Sequence, residues 1–191
     1  SLRGLIEESQ KQLKEKIERP VEQVKEEVLD FFRVRYQNFL LDKGYPFDVT
    51  EAVISNSFGE LLDIQHRIDA LRTAREWKDF GSIVIGFKRA MNILKGLTST
   101  VEINPSLFSE PVEKNLYQSF LKARENISRF LSQKDYETAL LEMTQMKKPI
   151  DDFFEGVMVM VEDEAIRNNR LALLDEIGKL FLRIADFSKL T

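Results

Sequence analysis

The chain has 191 residues, 43% of them hydrophobic and 31% charged, with no cysteine and a formal net charge of −4. That length makes one large or two small domains with a substantial core, and the apolar content argues against disorder. No disulfide or thiolate metal site can form, and no apolar run approaches the roughly 18 residues of a membrane span.

Charge is unevenly distributed. Residues 67–96 carry seven Lys/Arg against three Asp/Glu, whereas residues 134–166 carry three against nine. A basic patch for phosphates is therefore possible on a chain whose total charge is negative. The start, Ser1-Leu2-Arg3-Gly4, has neither an initiator Met nor a signal-peptide pattern, which suggests a piece of a longer chain. The lack of cysteine fits a cytoplasmic location.

Leu2, Ile6, Leu13 and Ile17 place one narrow apolar stripe on a first, otherwise polar helix. Arg19-Pro20 interrupts it, because proline lacks a donor and restricts its predecessor. Val24, Val28, Phe31, Phe32, Phe39 and Leu40 predict a long second helix over 21–43, ended by Gly44. Arg33 and Arg35 lie near its middle and read most simply as solvated charges.

Tyr45-Pro46 predicts a turn. Asp48 with Glu51, and Ser57 with Glu60, have the spacing of capping boxes for the next two helices. His66 is the sole histidine, and one imidazole beside Asp69 is too little for a metal site. Val84, Phe87, Met91 and Leu94 form the inward stripe of a following helix. Lys88, Asn92 and Lys95 share another face, with Arg89 beside them. Cations with an amide suit phosphate contact and base-edge reading, although an ordinary solvated face is the plainer interpretation.

Residues 96–111 form the longest non-periodic connection, with Pro105 and Pro111 as breakers. Pro111 suits the first turn of a helix carrying Val112, Leu116, Phe120, Ile127 and Leu131. Asp135 caps a shorter helix that ends near Lys147-Lys148-Pro149. Val157–Val161 could be a short strand by composition, but within a helical chain it reads better as core filler at a junction. The last helix has two adjacent apolar stripes, through Ile166, Leu173, Ile177 and Leu180 and through Leu171, Leu174 and Phe181. Arg170 lies on the first stripe, where an unpaired guanidinium is costly. A structural arginine paired with a carboxylate is the plainer reading; Arg167 and Arg170 presenting donors to a phosphate or base is the sharper one. One His and no Cys assemble no nucleophilic triad, so no active site is expected. These signals predict an all-α bundle of about seven to eight helices.

The run Asp152-Phe153-Phe154-Glu155-Gly156-Val157-Met158-Val159-Met160, followed by Glu162-Asp163-Glu164 and Arg167-Asn168-Asn169-Arg170-Leu171-Ala172-Leu173-Leu174, resembles the C-terminal region of the bacterial glycyl-tRNA synthetase β-subunit. Phe87-Lys88-Arg89 and Asn92-Ile93-Leu94-Lys95 resemble another stretch of it. The resemblance implies a helical anticodon-binding domain of the type also found in arginyl-tRNA synthetase, here over 44–191 behind a helical linker segment, 1–43. Asp69-Ala70-Leu71-Arg72 spells the letters by which that domain type is known, but four common residues carry little weight.

The resemblance further implies that tRNA, the glycine isoacceptor, is the partner. Lys88, Arg89, Asn92 and Lys95 are the first candidates for contact, followed by Arg167, Arg170, Arg33 and Arg35. In that family an α-subunit, holding ATP and Mg, makes the aminoacyl-adenylate within an α2β2 ligase. This chain would bind no cofactor and catalyse nothing itself. Neither DNA nor a membrane is an expected partner. The rival readings are the anticodon-binding end of arginyl-tRNA synthetase and a non-enzymatic helical adaptor.

Overall fold

The computed structural model describes residues 2–13, 19–56, 58–96 and 101–191. Among these, nine α-helices follow one another: α1 (Leu2–Leu13), α2 (Val21–Asp42), α3 (Phe47–Ile54), α4 (Leu61–Ala74), α5 (Phe80–Leu94), α6 (Pro111–Ser132), α7 (Tyr136–Thr144), α8 (Lys147–Gly156) and α9 (Glu164–Leu182). Two 3₁₀ turns, Pro105–Leu107 and Phe187–Lys189, complete the path, and no strand occurs among the described residues. The all-α class expected from the periodicities is observed.

The helix ends show which local signals operate. Gly44, at φ +84°, closes α2 in the left-handed region that glycine enters without steric cost. Glu110 and Glu113 form a reciprocal capping box around Pro111 at the start of α6. Asp135 accepts from the Thr138 N–H, and Asp163 accepts from the Ile166 N–H at 3.0 Å, so both α7 and α9 begin on a carboxylate cap.

Other expectations are corrected. Asp48 forms no capping box with Glu51: α3 begins two residues earlier than such a box requires, behind Pro46, and Asp48 instead pairs with Arg75 at 2.8 Å and accepts from the Thr191 N–H and hydroxyl. Glu51 accepts from the Gln37 amide. Ser57 and Ile17 lie outside the described residues, and Glu60 stands at the N-cap of α4. Lys147-Lys148-Pro149 opens α8 rather than ending α7, because proline is tolerated in a first turn, where its missing N–H has no partner to lose. Val157–Val161 is neither strand nor uniformly core. Val159 is buried, while Met158 and Met160 are 73% and 53% exposed.

The core is organised around α5 and α9. Phe87 stacks on Phe181 with ring centroids 5.5 Å apart, and Phe187 packs against Phe80, Phe87 and Phe181. Such pairs contribute about 0.5–1.5 kcal/mol each beyond the burial of their area. The contacts run antiparallel: Phe87 meets Phe181, while a Cβ built on Gly178 would stand 2.8 Å from the Met91 sulfur. On another side, a Cβ at Gly86 would lie 3.2 Å from Ile150, so glycine lets α8 close on α5. The chain end is drawn over α3 and α5, with the Asp186 N–H donating to the Ala52 carbonyl at 2.8 Å. Helix α2 packs on α1 and α3 and leaves Phe31, Val34 and Phe39 exposed.

Candidate nucleic-acid interface

Helix α5 buries Ile83, Val84, Phe87, Ala90 and Leu94. With 3.6 residues per turn, that inward stripe forces Arg89 and Asn92 outward; Lys95 follows at the non-helical C-cap, and all three are exposed. Arg89 is also oriented. Its guanidinium lies over the Phe154 ring, 4.3 Å from the centroid, on the α8 that Gly86 admits. One face of the planar cation is thus held, and its edge is left for a phosphate or a base. Among the described residues, neither Lys95 nor Asn92 has a side-chain hydrogen bond or ion pair.

Lys88 differs. It is half-buried, and its ammonium donates to the Leu190 carbonyl at 2.5 Å, which ties α5 to the chain end. Hydrogen bonds from charged groups contribute about 1.5–3 kcal/mol. We expect Lys88→Ala to lower stability by an amount in that range, measured as the shift in denaturant midpoint. An unchanged melting temperature contradicts this structural role.

The remaining candidates are dispersed. Arg170 is 5% exposed, with its Nε 2.8 Å from Glu113 and one terminal nitrogen donating to the Met158 carbonyl at 2.8 Å. This is the structural pairing that its place on the apolar stripe called for. Arg167 donates to the Val161 and Glu162 carbonyls and lies 3.6 Å from Glu164. On α2, Arg33 pairs with Asp30, while Arg35 is exposed and sits 4.6 Å over the Phe31 ring. The structure therefore gathers Arg89, Asn92 and Lys95 on one outward face and commits Arg170 to the interior. No group of three or more His, Asp or Glu side chains among the described residues is arranged to hold a metal.

Sequence reasoning missed a cleft of about 480 Å³ between α6, α9 and the segment before the first 3₁₀ turn. Tyr117, Leu121 and Arg124 line it from α6, Asp175, Glu176 and Lys179 from α9, and Val101, Glu102 and Ile103 from the segment. No spacing rule joins three such distant stretches. Phe154 was missed as the ring beneath Arg89 for the same reason.

Residues 83–185 match the DALR anticodon binding domain. The chain belongs to that family. The match begins after Asp69-Ala70-Leu71-Arg72, so that string has no part in it. Relatives extend the likeness across the chain. The glycine–tRNA ligase beta subunit of Syntrophus aciditrophicus is 42% identical over 190 residues, covering 100% of this chain and 27% of that protein. Those of Geotalea daltonii and Trichlorobacter lovleyi are each 44% identical, covering 94% and 100% of this chain and 26% and 27% of their own length. The chain thus spans about a quarter of the relatives it matches. Helix α5, with Arg89, Asn92 and Lys95, lies almost wholly inside the DALR match.

Proposed function

We propose that this chain recognises the anticodon end of glycine tRNA as part of a glycine–tRNA ligase β-subunit, serving the ATP-dependent attachment of glycine to its tRNA. The observation that carries the reading is the outward face of α5 inside the DALR match, where an oriented guanidinium, an amide and an unpaired ammonium stand together. Lys and Arg supply the backbone neutralisation that dominates nucleic-acid affinity, and the amide can read a base edge. Relatives at 38–44% identity carry the glycine–tRNA ligase beta subunit name, which favours the glycine enzyme over the arginine one.

In this reading the chain is non-catalytic and holds no cofactor. ATP and Mg act on a partner α-subunit within an α2β2 assembly in the cytoplasm. No helix among the described residues is long and apolar enough to cross a membrane. Ribonuclease footprinting of glycine tRNA on the assembled enzyme tests the assignment. We expect the anticodon loop to be protected, and that protection to vanish when this segment is deleted while acceptor-end protection remains. Anticodon-loop protection that survives the deletion overturns the proposal.

A further inference from the structure

Helix α2 is long and little enclosed. Among its described side chains only Leu29 and Leu40 are buried, whereas α6, also of 22 residues, buries five. The sequence of α2 does not suit that exposure. Val28, Phe31, Val34, Tyr36, Phe39 and Leu41 place apolar side chains nearly all round it, the pattern of a helix enclosed on every side. Helices α1 and α3 pack on one side. On the other, Phe31, Val34 and Phe39 are 54%, 58% and 51% exposed. The furrow they share is lined by α2 alone, from Glu27 to Asp42, and no other described element contributes to it. At 1.5 Å per residue it runs about 22 Å, the length of a facing helix of about 15 residues.

The charges along the furrow decide what can lie in it. Glu27, Asp30 and Asp42 stand against Arg35 alone, three carboxylates to one guanidinium. Arg35 is itself laid on the Phe31 ring. A polyanion gains nothing here, because nucleic acid is held by cations that neutralise its phosphates. Glu27 pairs with Arg19 and Asp30 with Arg33, while Asp42 has no ion pair among the described residues.

A second copy of the chain fits no better. A two-fold axis between Val34 and Arg35 sets Glu27 of one copy against Asp42 of the other at both ends of an antiparallel pair. A parallel pair sets each carboxylate against itself. Like charges so placed oppose association. What suits the furrow is a helix with large apolar side chains along one face and a Lys or Arg where it passes Asp42.

The same polypeptide can supply that helix. The chain spans about a quarter of the length of its relatives, so a subunit of that length has about three quarters of its residues outside it. A tethered partner also needs less contact area than the roughly 1,000 Å² of a stable interface between separate proteins.

We propose that the α2 furrow is the docking seat for an amphipathic helix, basic at one end, from the remaining part of the β-subunit. The contact lies within one polypeptide and fixes the anticodon-binding region relative to the rest of the subunit. The inference rests on the β-subunit reading above and not on the tRNA contacts of α5.

The test uses the assembled ligase. The photo-cross-linking residue p-benzoylphenylalanine replaces Phe31 or Phe39, with isotopically light and heavy β-subunits mixed, and the joined peptides are identified by mass spectrometry. Both positions should cross-link within a single β-subunit, to a peptide outside these 191 residues. Cross-links to the α-subunit, to tRNA or between light and heavy β-subunits overturn the assignment, and so does their absence. Alkylation of Val34→Cys gives an independent readout. Reagent access sets its rate, so it should react at least about tenfold slower in the assembled enzyme than after unfolding in urea. A rate near the unfolded one shows an open face and overturns the proposal. The footprint that tests the anticodon-end reading is a separate measurement, so the two readings fail separately.

Discussion

Arg170→Ala should destabilise the fold by about 3–5 kcal/mol, the cost of leaving a buried carboxylate without its cation. The magnitude follows from the surroundings of Glu113, which is fully buried. One oxygen of its carboxylate lies 2.8 Å from the Arg170 Nε, while the other accepts from the Glu110 N–H at 2.9 Å and the Ser109 N–H at 3.1 Å. The pair thus closes the α6 capping box and fastens it to α9. For a chain of this size the loss corresponds to a fall of roughly 6–20 °C in melting temperature. An unchanged melting temperature contradicts the account. Arg170→Met with Glu113→Gln should recover part of the loss, because the buried charge is gone while an amide oxygen still accepts from the Glu110 and Ser109 N–H groups.

The same pair sets an acid limit. Burial pushes the Glu113 carboxyl up, but the Arg170 hydrogen bond, the Glu110 N–H, the Arg170 charge and Ser109 outweigh it and hold the group below its ordinary value. An unfolded glutamate titrates near about 4.3. With the folded pKa below that, the contribution is complete above the unfolded value and is lost as pH falls through the folded one. Stability should therefore fall off on the acid side of about pH 4, and Arg170→Ala should flatten that dependence. Denaturant midpoints measured across that range check the sign.

The largest expected effect on binding comes from Arg89→Ala combined with Lys95→Ala. Each cation removed from a phosphate contact lowers the slope of log affinity against log salt by about one. The pair should weaken tRNA binding on the order of tenfold or more at low salt, with a smaller loss as salt rises. Both residues are exposed and neither closes a buried ion pair, so the melting temperature should hardly move. Titrations at several salt concentrations read the slope directly. An unchanged slope places the phosphate contacts elsewhere.

These two results separate what was legible in the sequence from what was not. Helix type and the inward stripes of α5, α6 and α9 follow from periodicity, because burial on one face imposes a 3.6-residue repeat. The cap at Asp135 was legible too, since a cap acts within its own turn. The start of α8 was not: Lys147-Lys148-Pro149 is compatible with either the end or the start of a helix, and packing against α5 through Gly86 and Ile150 decides. Asp48 has capping spacing, yet its partners are Arg75 and Thr191, the latter 143 residues away.

The site shows the same division. That Arg170 needs a carboxylate follows from its place on an apolar stripe, but the identity of Glu113 depends on how α6 meets α9. Lys88 and Arg89 are adjacent in sequence and both cationic. The structure ties the first to the Leu190 carbonyl and sets the second over Phe154. Side chains that meet only through tertiary packing leave no mark in local spacing.

The central claim, that this chain binds the anticodon end of a tRNA, is tested most directly by competition. Labelled glycine tRNA bound to the protein is displaced either by the isolated anticodon stem-loop or by a minihelix of the acceptor end. The account predicts displacement by the stem-loop at far lower concentration than by the minihelix, with the preference reduced in the Arg89→Ala, Lys95→Ala variant. Equal displacement by both, or stronger displacement by the minihelix, contradicts it.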